Sequence, residues 1–200
     1  MEQFDQQATL ALNALHTPFT DGCWRFFSGA VVWVVCCLLM TAYLFYRLGW
    51  KQALVAVGAC VLTFVLADRI STIVKLSTAR LRPCWDPVML EAGLRVLEGK
   101  GHTYSFFSAH SANAAGLALC SWLCLRRDTP QPHRSYAVLA FTLAFLIGIS
   151  RIFVGKHFLG DVLVGWSAGL LFGTLSAWLS RLIITHAATR RNRRRAPSGA

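Results

Sequence analysis

Long apolar runs separated by short polar turns dominate this chain, and few stretches alternate apolar with polar positions. Residues 4–22, "FDQQATLALNALHTPFTDG", are different: apolar positions recur at near-helical spacing with polar residues between them. That pattern predicts a short amphipathic helix lying on a membrane surface, ended near Pro18 and Gly22. Apolar runs follow at about 28–46, 52–74, from near Phe106 to "LRRD", 135–153 and 158–183. Each is apolar around its whole circumference and close to the ~20 residues that cross a hydrocarbon core. Between the second and third lies a longer polar segment, 75–105, broken by Pro83 and Pro87. The expected fold is an all-α integral membrane bundle of about five transmembrane helices plus the N-terminal amphipathic helix. It forms one domain over 1–200: a surface segment 1–27, a bundle 28–183 and a basic tail 184–200.

Composition agrees. Hydrophobic residues make up 55% and charged residues 14%, against about 25% charged in a soluble domain; mean hydropathy is +0.48. The net charge of +11 is uneven, and "TRRNRRR" alone holds five arginines. After apolar spans, such a tail reads as a cytoplasmic membrane flank rather than a nucleic-acid arm, so no nucleic-acid partner is expected. Five crossings put the chain ends on opposite sides. Arg47, Lys51, Arg126, Arg127, Arg134 and the tail gather on one side, which the positive-inside rule makes cytoplasmic. The N-terminus, the 75–105 segment and the 151–157 turn then face outward. Trp24, Trp50 and Trp85 fit interfacial belts. Cys36, Cys37, Cys60, Cys120 and Cys124 lie within apolar runs as small hydrophobes. Cys23 and Cys84 flank the spans, and no disulfide between them is expected. The first 20 residues lack the basic start and compact apolar stretch of a cleavable signal.

Three polar clusters meet on the outward side. "KLSTARLRP" places Lys75 and Arg82 nearly two turns apart, on one face if the helix persists, with Pro83 ending it; Arg80 falls on another face. "FFSAHSAN" puts Ser108 and His110 at the start of a span, where unpaired backbone N–H groups and the positive dipole end suit an anion. "SRIFVGKHFLGD" ends one span at Arg151 and opens the next at His157, with Asp161 one turn on. A carboxylate there accepts from one imidazole nitrogen, fixes the tautomer and frees the other nitrogen as nucleophile or base. Fixed cations, a hydroxyl, a helix start and two histidines fit a tetrahedral oxyanion. Phosphoryl transfer needs mostly positioning and charge neutralisation, so no metal or other cofactor is expected.

Together "K-x6-R-P", "S-x-H" and "S-R-x5-H-x3-D" resemble the three-part signature of the type 2 phosphatidic acid phosphatase superfamily. That family comprises integral membrane lipid phosphatases and soluble vanadium haloperoxidases. Its second motif usually reads Pro-Ser-Gly-His; here Phe107 and Ala109 replace the proline and glycine, and the Ala109 N–H still suits phosphate if no positive φ is needed. The resemblance implies a metal-independent phosphoric monoester hydrolase of acid-phosphatase type. In it His157 is the nucleophile that forms a phosphohistidine, Asp161 orients it, and His110 protonates the leaving oxygen. Lys75, Arg82, Ser108, Ala109 and Arg151 cradle the phosphate.

The implied substrate is a lipid phosphate or diphosphate held in the bilayer: undecaprenyl diphosphate, phosphatidic acid, phosphatidylglycerol phosphate or lipid A. An outward site gives a small preference for the polyprenyl diphosphate. The implied location is a bacterial-type inner (plasma) membrane with the site extracytoplasmic and the C-terminus cytoplasmic. Asp68, seven residues before Lys75 inside a span, is expected to hold that lysine in place without acting in catalysis. Asn113 is expected in a helix–helix hydrogen bond, and Trp85 and Asp86 near a headgroup. Two rivals remain at this point: a vanadate-dependent haloperoxidase, and a non-catalytic lipid-phosphate binder or transporter.

Overall fold

In the computed structural model, residues 2–128 and 133–195 are described. The order is α1 (Glu2–Asn13), α2 (Pro18–Ser28), α3 (Ala30–Leu48), α4 (Trp50–Thr78), a 3-10 turn (Pro83–Trp85), α5 (Pro87–Glu91), α6 (Ala109–Asp128), α7 (Arg134–Phe153) and α8 (Leu159–Arg195). No strand occurs among the described residues beyond an isolated bridge between Leu81 and Tyr104. Helices α3, α4, α7 and the Leu159–Ala187 part of α8 are long and apolar enough to cross a membrane. Helix α6, 20 residues long, runs at the centre, and no residue from Ser105 to Leu125 is exposed. A helix sheathed by others need not be apolar toward lipid, which explains its serines, its asparagine and its many alanines and glycine. The chain is an integral membrane protein built as an all-helical bundle.

Small residues set the central packing. On α8, Gly165, Gly169 and Gly173 are one turn apart and face Ser108, Ala112 and Gly116 of the α6 strip. A Cβ on Gly169 would stand 2.0 Å from the Ala112 carbonyl oxygen, and one on Gly173 would stand 2.5 Å from that of Gly116. The two backbones therefore touch, as small-residue stripes permit in membranes. This contact brings the N-terminal ends of α6 and α8 together, and the Ser108 N–H donates to the Asp161 carbonyl at 3.0 Å.

The N-terminal segment departs from expectation. It is two helices, and Pro18 begins the second one. Pro18 occupies the first turn of α2 behind a Thr17 capping box, the position where a missing N–H costs nothing. Helix α1 is held by its polar stripe of Asp5, Thr9 and Asn13, which docks on the turn between α7 and α8. Asn13 Nδ2 donates to the Ile152 and Phe153 carbonyls at 3.1 Å each. Thr9 Oγ1 accepts from Leu159 N at 3.0 Å, and Asp5 Oδ1 from Gly160 N at 2.7 Å. These side chains satisfy the carbonyls left open where α7 ends and the N–H groups left open where α8 begins. Arg95 forks onto Asp21 at 3.2 and 2.6 Å, tying α2 to the polar segment; that hydrogen bond holds the Asp21 carboxyl below its usual range.

At the other end, α8 continues through Arg195 without a break at 183, so most of the expected tail is helical. Residues 129–132 of the "RRDTPQPHR" loop and 196–200 of the tail lie outside the described residues. All seven cysteines are free. Trp24 stacks on Phe153 with 4.2 Å between ring centroids, whereas Trp50 is exposed with Lys51 over its ring.

Candidate active site

The polar segment after α4 departs from helical geometry earlier than Pro83 suggests. Helix α4 stops at Thr78, and Ala79 takes a left-handed φ of 47°. Helical spacing therefore does not relate Lys75 to Arg82. Arg82 lies beyond the helix in extended backbone, with φ −71° and ψ 152°. Its N–H donates to Thr103 O at 2.9 Å and its Nε to Tyr104 O at 3.0 Å, so the returning strand-like segment fixes it.

His157 sits in the turn between α7 and α8. Gly155, at φ +77°, lets that turn pass under the loop, because a Cβ there would lie 2.7 Å from Arg95 O. The Arg151 carbonyl accepts from both Lys156 N and His157 N, at 2.9 and 3.1 Å. The His157 ring is 1% exposed. Its Nδ1 lies 3.3 Å from Asp161 Oδ2, which also accepts from Phe158 N at 3.0 Å. With the carboxylate accepting, the proton belongs on Nδ1 and Nε2 keeps its lone pair. Burial holds this imidazole well below the ordinary histidine value, and Arg82, Arg151, Lys75 and Lys156 push the same way. The ring is therefore neutral near pH 7.

The start of α6 supplies donors. The N–H groups of Ala109 and His110 meet no acceptor among the described residues, whereas that of Ser108 is already used by Asp161 O. Ser108 Oγ accepts from Ser111 N and Ser111 Oγ, at 3.3 and 2.9 Å, which leaves its own hydrogen to give. Ala109 is not among the described non-glycine residues with positive φ, so alanine meets no backbone strain there. His110 packs edge-on against Trp33 at 5.8 Å between centroids. The charges of Arg151, Lys75 and Arg82, and the His157 ring, all act on it.

The cations are buried and only partly answered. Arg82 and Arg151 are 8% and 5% exposed. Arg151 bonds Ser28 Oγ, approaches Glu98 Oε2 at 3.9 Å, and leaves its Nε without a partner. Lys156, also 5% exposed, donates to Gly99 O. A point where Gly101 would carry a Cβ lies 3.3 Å from Lys156 Nζ and 3.8 Å from Arg82 Nη1, so these two heads crowd one place. Such a rim favours a small, highly charged anion.

The structure brings Lys75, Arg82, Ser108, Ala109, His110, Arg151, His157 and Asp161 to one end of the bundle. No ion pair or hydrogen bond links Asp68 to Lys75 among the described residues, but the Asp68 charge acts on that lysine along α4. Asn113 Oδ1 is buried without the expected partner. Sequence reasoning missed Arg80, which bridges Asp161 Oδ1 at 2.9 Å and Asp5 Oδ2 at 2.7 Å and lies over the Phe158 ring at 4.0 Å. Helical projection put it on the wrong face because the helix ends before it. Lys156 and Trp33 were missed as well; a lysine beside a motif histidine was the available signal.

An apolar cavity of about 500 Å³ opens between α3 and α7 with α6 as its floor. Trp33, Ala114 and Ile147 line the end nearer His110, and Tyr43 and Tyr136 the far end. From Trp33 to Tyr43 is ten residues of helix, about 15 Å. Trp33 thus touches both the groove and His110.

The chain is similar to known proteins over most of its length. A lipid A 4'-phosphatase of Porphyromonas gingivalis is 30% identical over 172 residues, covering 86% of this chain and 70% of the relative. One of Bacteroides thetaiotaomicron is 30% identical over 181 residues, covering 90% and 76%. The crystal structure of a transmembrane PAP2-type phosphatidylglycerolphosphate phosphatase from Bacillus subtilis superposes with a TM-score of 0.72 at 23% identity, covering 91% of this chain and 87% of that one. The PAP2 superfamily profile matches residues 56–184, which hold every motif residue above. The chain belongs to the PAP2 superfamily.

Proposed function

We propose that this protein is a membrane lipid phosphatase that removes a phosphate monoester from a lipid headgroup through a phosphohistidine. One observation carries the reading: His157 is buried, faces Asp161 through Nδ1 at 3.3 Å, and lies among the charges of Lys75, Arg82, Arg151 and Lys156. His157 Nε2 attacks phosphorus and the P–O bond to the lipid breaks. The departing oxygen takes a proton from His110, which must enter the step protonated, a form that the negative charge of the bound phosphate favours. Water then attacks the phosphohistidine, giving up its proton to His110 and releasing inorganic phosphate. Lys75, Arg82, Arg151, Ser108 and the N–H groups of Ala109 and His110 hold the phosphoryl oxygens. Asp68 supports Lys75 from within α4 by charge, without acting in catalysis.

The groove supports a lipid substrate over a soluble one. A hydrocarbon chain of about 15 Å fits its length, its volume falls within the range of small-molecule sites, and Trp33 leads from it to the acid. The two relatives named for lipid A favour a phosphorylated lipid A headgroup, with one acyl chain in the groove and the others left in the bilayer. Undecaprenyl diphosphate, phosphatidic acid and phosphatidylglycerol phosphate are the competing substrates. Residues 1–200 act as one membrane domain. The basic end of α8 lies in the cytoplasm by the positive-inside rule, and the site faces outward.

The test is phosphate release by detergent-purified protein against that lipid panel, with chelator present. Release from lipid A, lost in His157→Ala at unchanged folding, is expected. Lipid binding without release, or vanadate-dependent halide oxidation, would overturn the reading.

A further inference from the structure

Helix α1 is more than an anchor. Asp5 sends one carboxylate oxygen to Arg80 Nη2 at 2.7 Å and the other to Gly160 N at 2.7 Å. Arg80 passes its other nitrogen, Nη1, to Asp161 Oδ1 at 2.9 Å, and Asp161 Oδ2 faces His157 Nδ1 at 3.3 Å. Four side chains from α1, the post-α4 segment, α8 and the α7–α8 turn thus form one chain of charged contacts. Space enforces it: a Cβ on Gly160 would stand 2.9 Å from Asp5 Oδ2. Arg80 also lies over the ring of Phe158, the residue after the histidine. Asp161 is fully buried, while the side chains of Asp5 and Arg80 keep 16% and 22% exposure. The outer pair therefore forms a plug over the buried pair.

We propose that Asp5, acting through Arg80 and Gly160, is a positioning residue for the His157–Asp161 pair. Asp5 aims the Arg80 fork, the fork fixes the plane of the Asp161 carboxylate, and that plane fixes the direction of Nε2. Neither residue touches substrate. The inference rests on His157 being the nucleophile.

Steady-state phosphate release and thermal unfolding of the full chain in detergent test it. Asp5→Asn and Arg80→Gln are each expected to lower kcat by about 10- to 100-fold, the penalty of a misplacement of up to about 1 Å. KM and vanadate inhibition should stay within about twofold, because the cradle itself is untouched. The double variant should lose far less than the product of the two single losses, since both break one chain. Asp5→Glu keeps the carboxylate and should recover most of kcat. Arg80→Lys keeps a cation on Asp161 but cannot fork to Asp5, and should be intermediate; it decides the question should Asp5→Asn fail to fold. Wild-type kcat in Asp5→Asn or Arg80→Lys, full additivity in the double variant, or a glutamate no better than asparagine would refute the positioning role. A wild-type protein that releases no phosphate would refute the phosphatase reading itself, a separate outcome.

Discussion

Gly169→Ala adds one methyl group at the tightest point between α6 and α8. The new Cβ would stand 2.0 Å from the Ala112 carbonyl oxygen, where real contacts do not fall below 3.0 Å. The obstacle is backbone on both sides, so no side chain can turn away. Relief requires the helices to separate by about 1 Å there, at a cost of about 1–3 kcal/mol for overpacking. At about 2–4 °C per kcal/mol for a chain of this size, the melting temperature in detergent should fall by several degrees. Asp161 lies eight residues away, about 12 Å up the same helix. The separation should stretch the 3.0 Å bond from Ser108 N to Asp161 O and shift His157 against the cradle. A misplacement of about 1 Å costs as much as 10²-fold in rate. Gly58→Ala is the control: it lies inside α4 with nothing within 4 Å of its Cβ, so alanine should leave activity intact and add up to about 1 kcal/mol of helix stability. Phosphate release and unfolding are measured on both. Wild-type melting and turnover in Gly169→Ala would mean that α6 and α8 do not touch as described.

Three further outcomes are expected. Ala140→Trp, on the groove wall, should raise KM for long-chain lipid phosphates and spare a short-chain soluble phosphate ester; equal effects on both would remove the tail from the groove. Orthovanadate should inhibit competitively, and Arg82→Gln should weaken it by about tenfold or more, as loss of a charge-assisted pair with an anion implies; unchanged inhibition would place the anion elsewhere. Burial and the surrounding cations hold folded His157 below its ordinary value, so below about pH 6.5 the unfolded chain binds a proton that the folded chain does not. Stability should therefore fall as pH drops through that value, by up to about 1.4 kcal/mol per pH unit for this group, with no contribution from it above. Melting curves from pH 7.5 to 5.5 (chosen to bracket about 6.5) should be flatter for His157→Asn than for wild type; parallel curves would show a charged or exposed ring.

The class of the fold and the chemistry of its rim follow from local pattern along the chain. Runs apolar on all sides can only be buried in lipid or in other helices, and charged residues recurring at their ends are costly enough to require a purpose. Lys75, Arg82, Ser108, His110, Arg151, His157 and Asp161 were legible because each is a polar group at a span boundary, at spacings that resemble a known signature. What supports them emerges only when distant segments meet. Arg80 could not be assigned from a helical wheel, because the left-handed turn at Ala79 takes it off the helix. Asp5, Thr9 and Asn13 look in sequence like the wet face of a surface helix; their partners are backbone groups of a turn roughly 140 to 155 residues away. The groove between α3 and α7 arises from which helices fail to pack, and the α6–α8 contact from glycines that meet only after folding. Local pattern fixes which faces must leave water. Which open backbone group a polar side chain satisfies depends on long-range proximity, and only the folded chain supplies that.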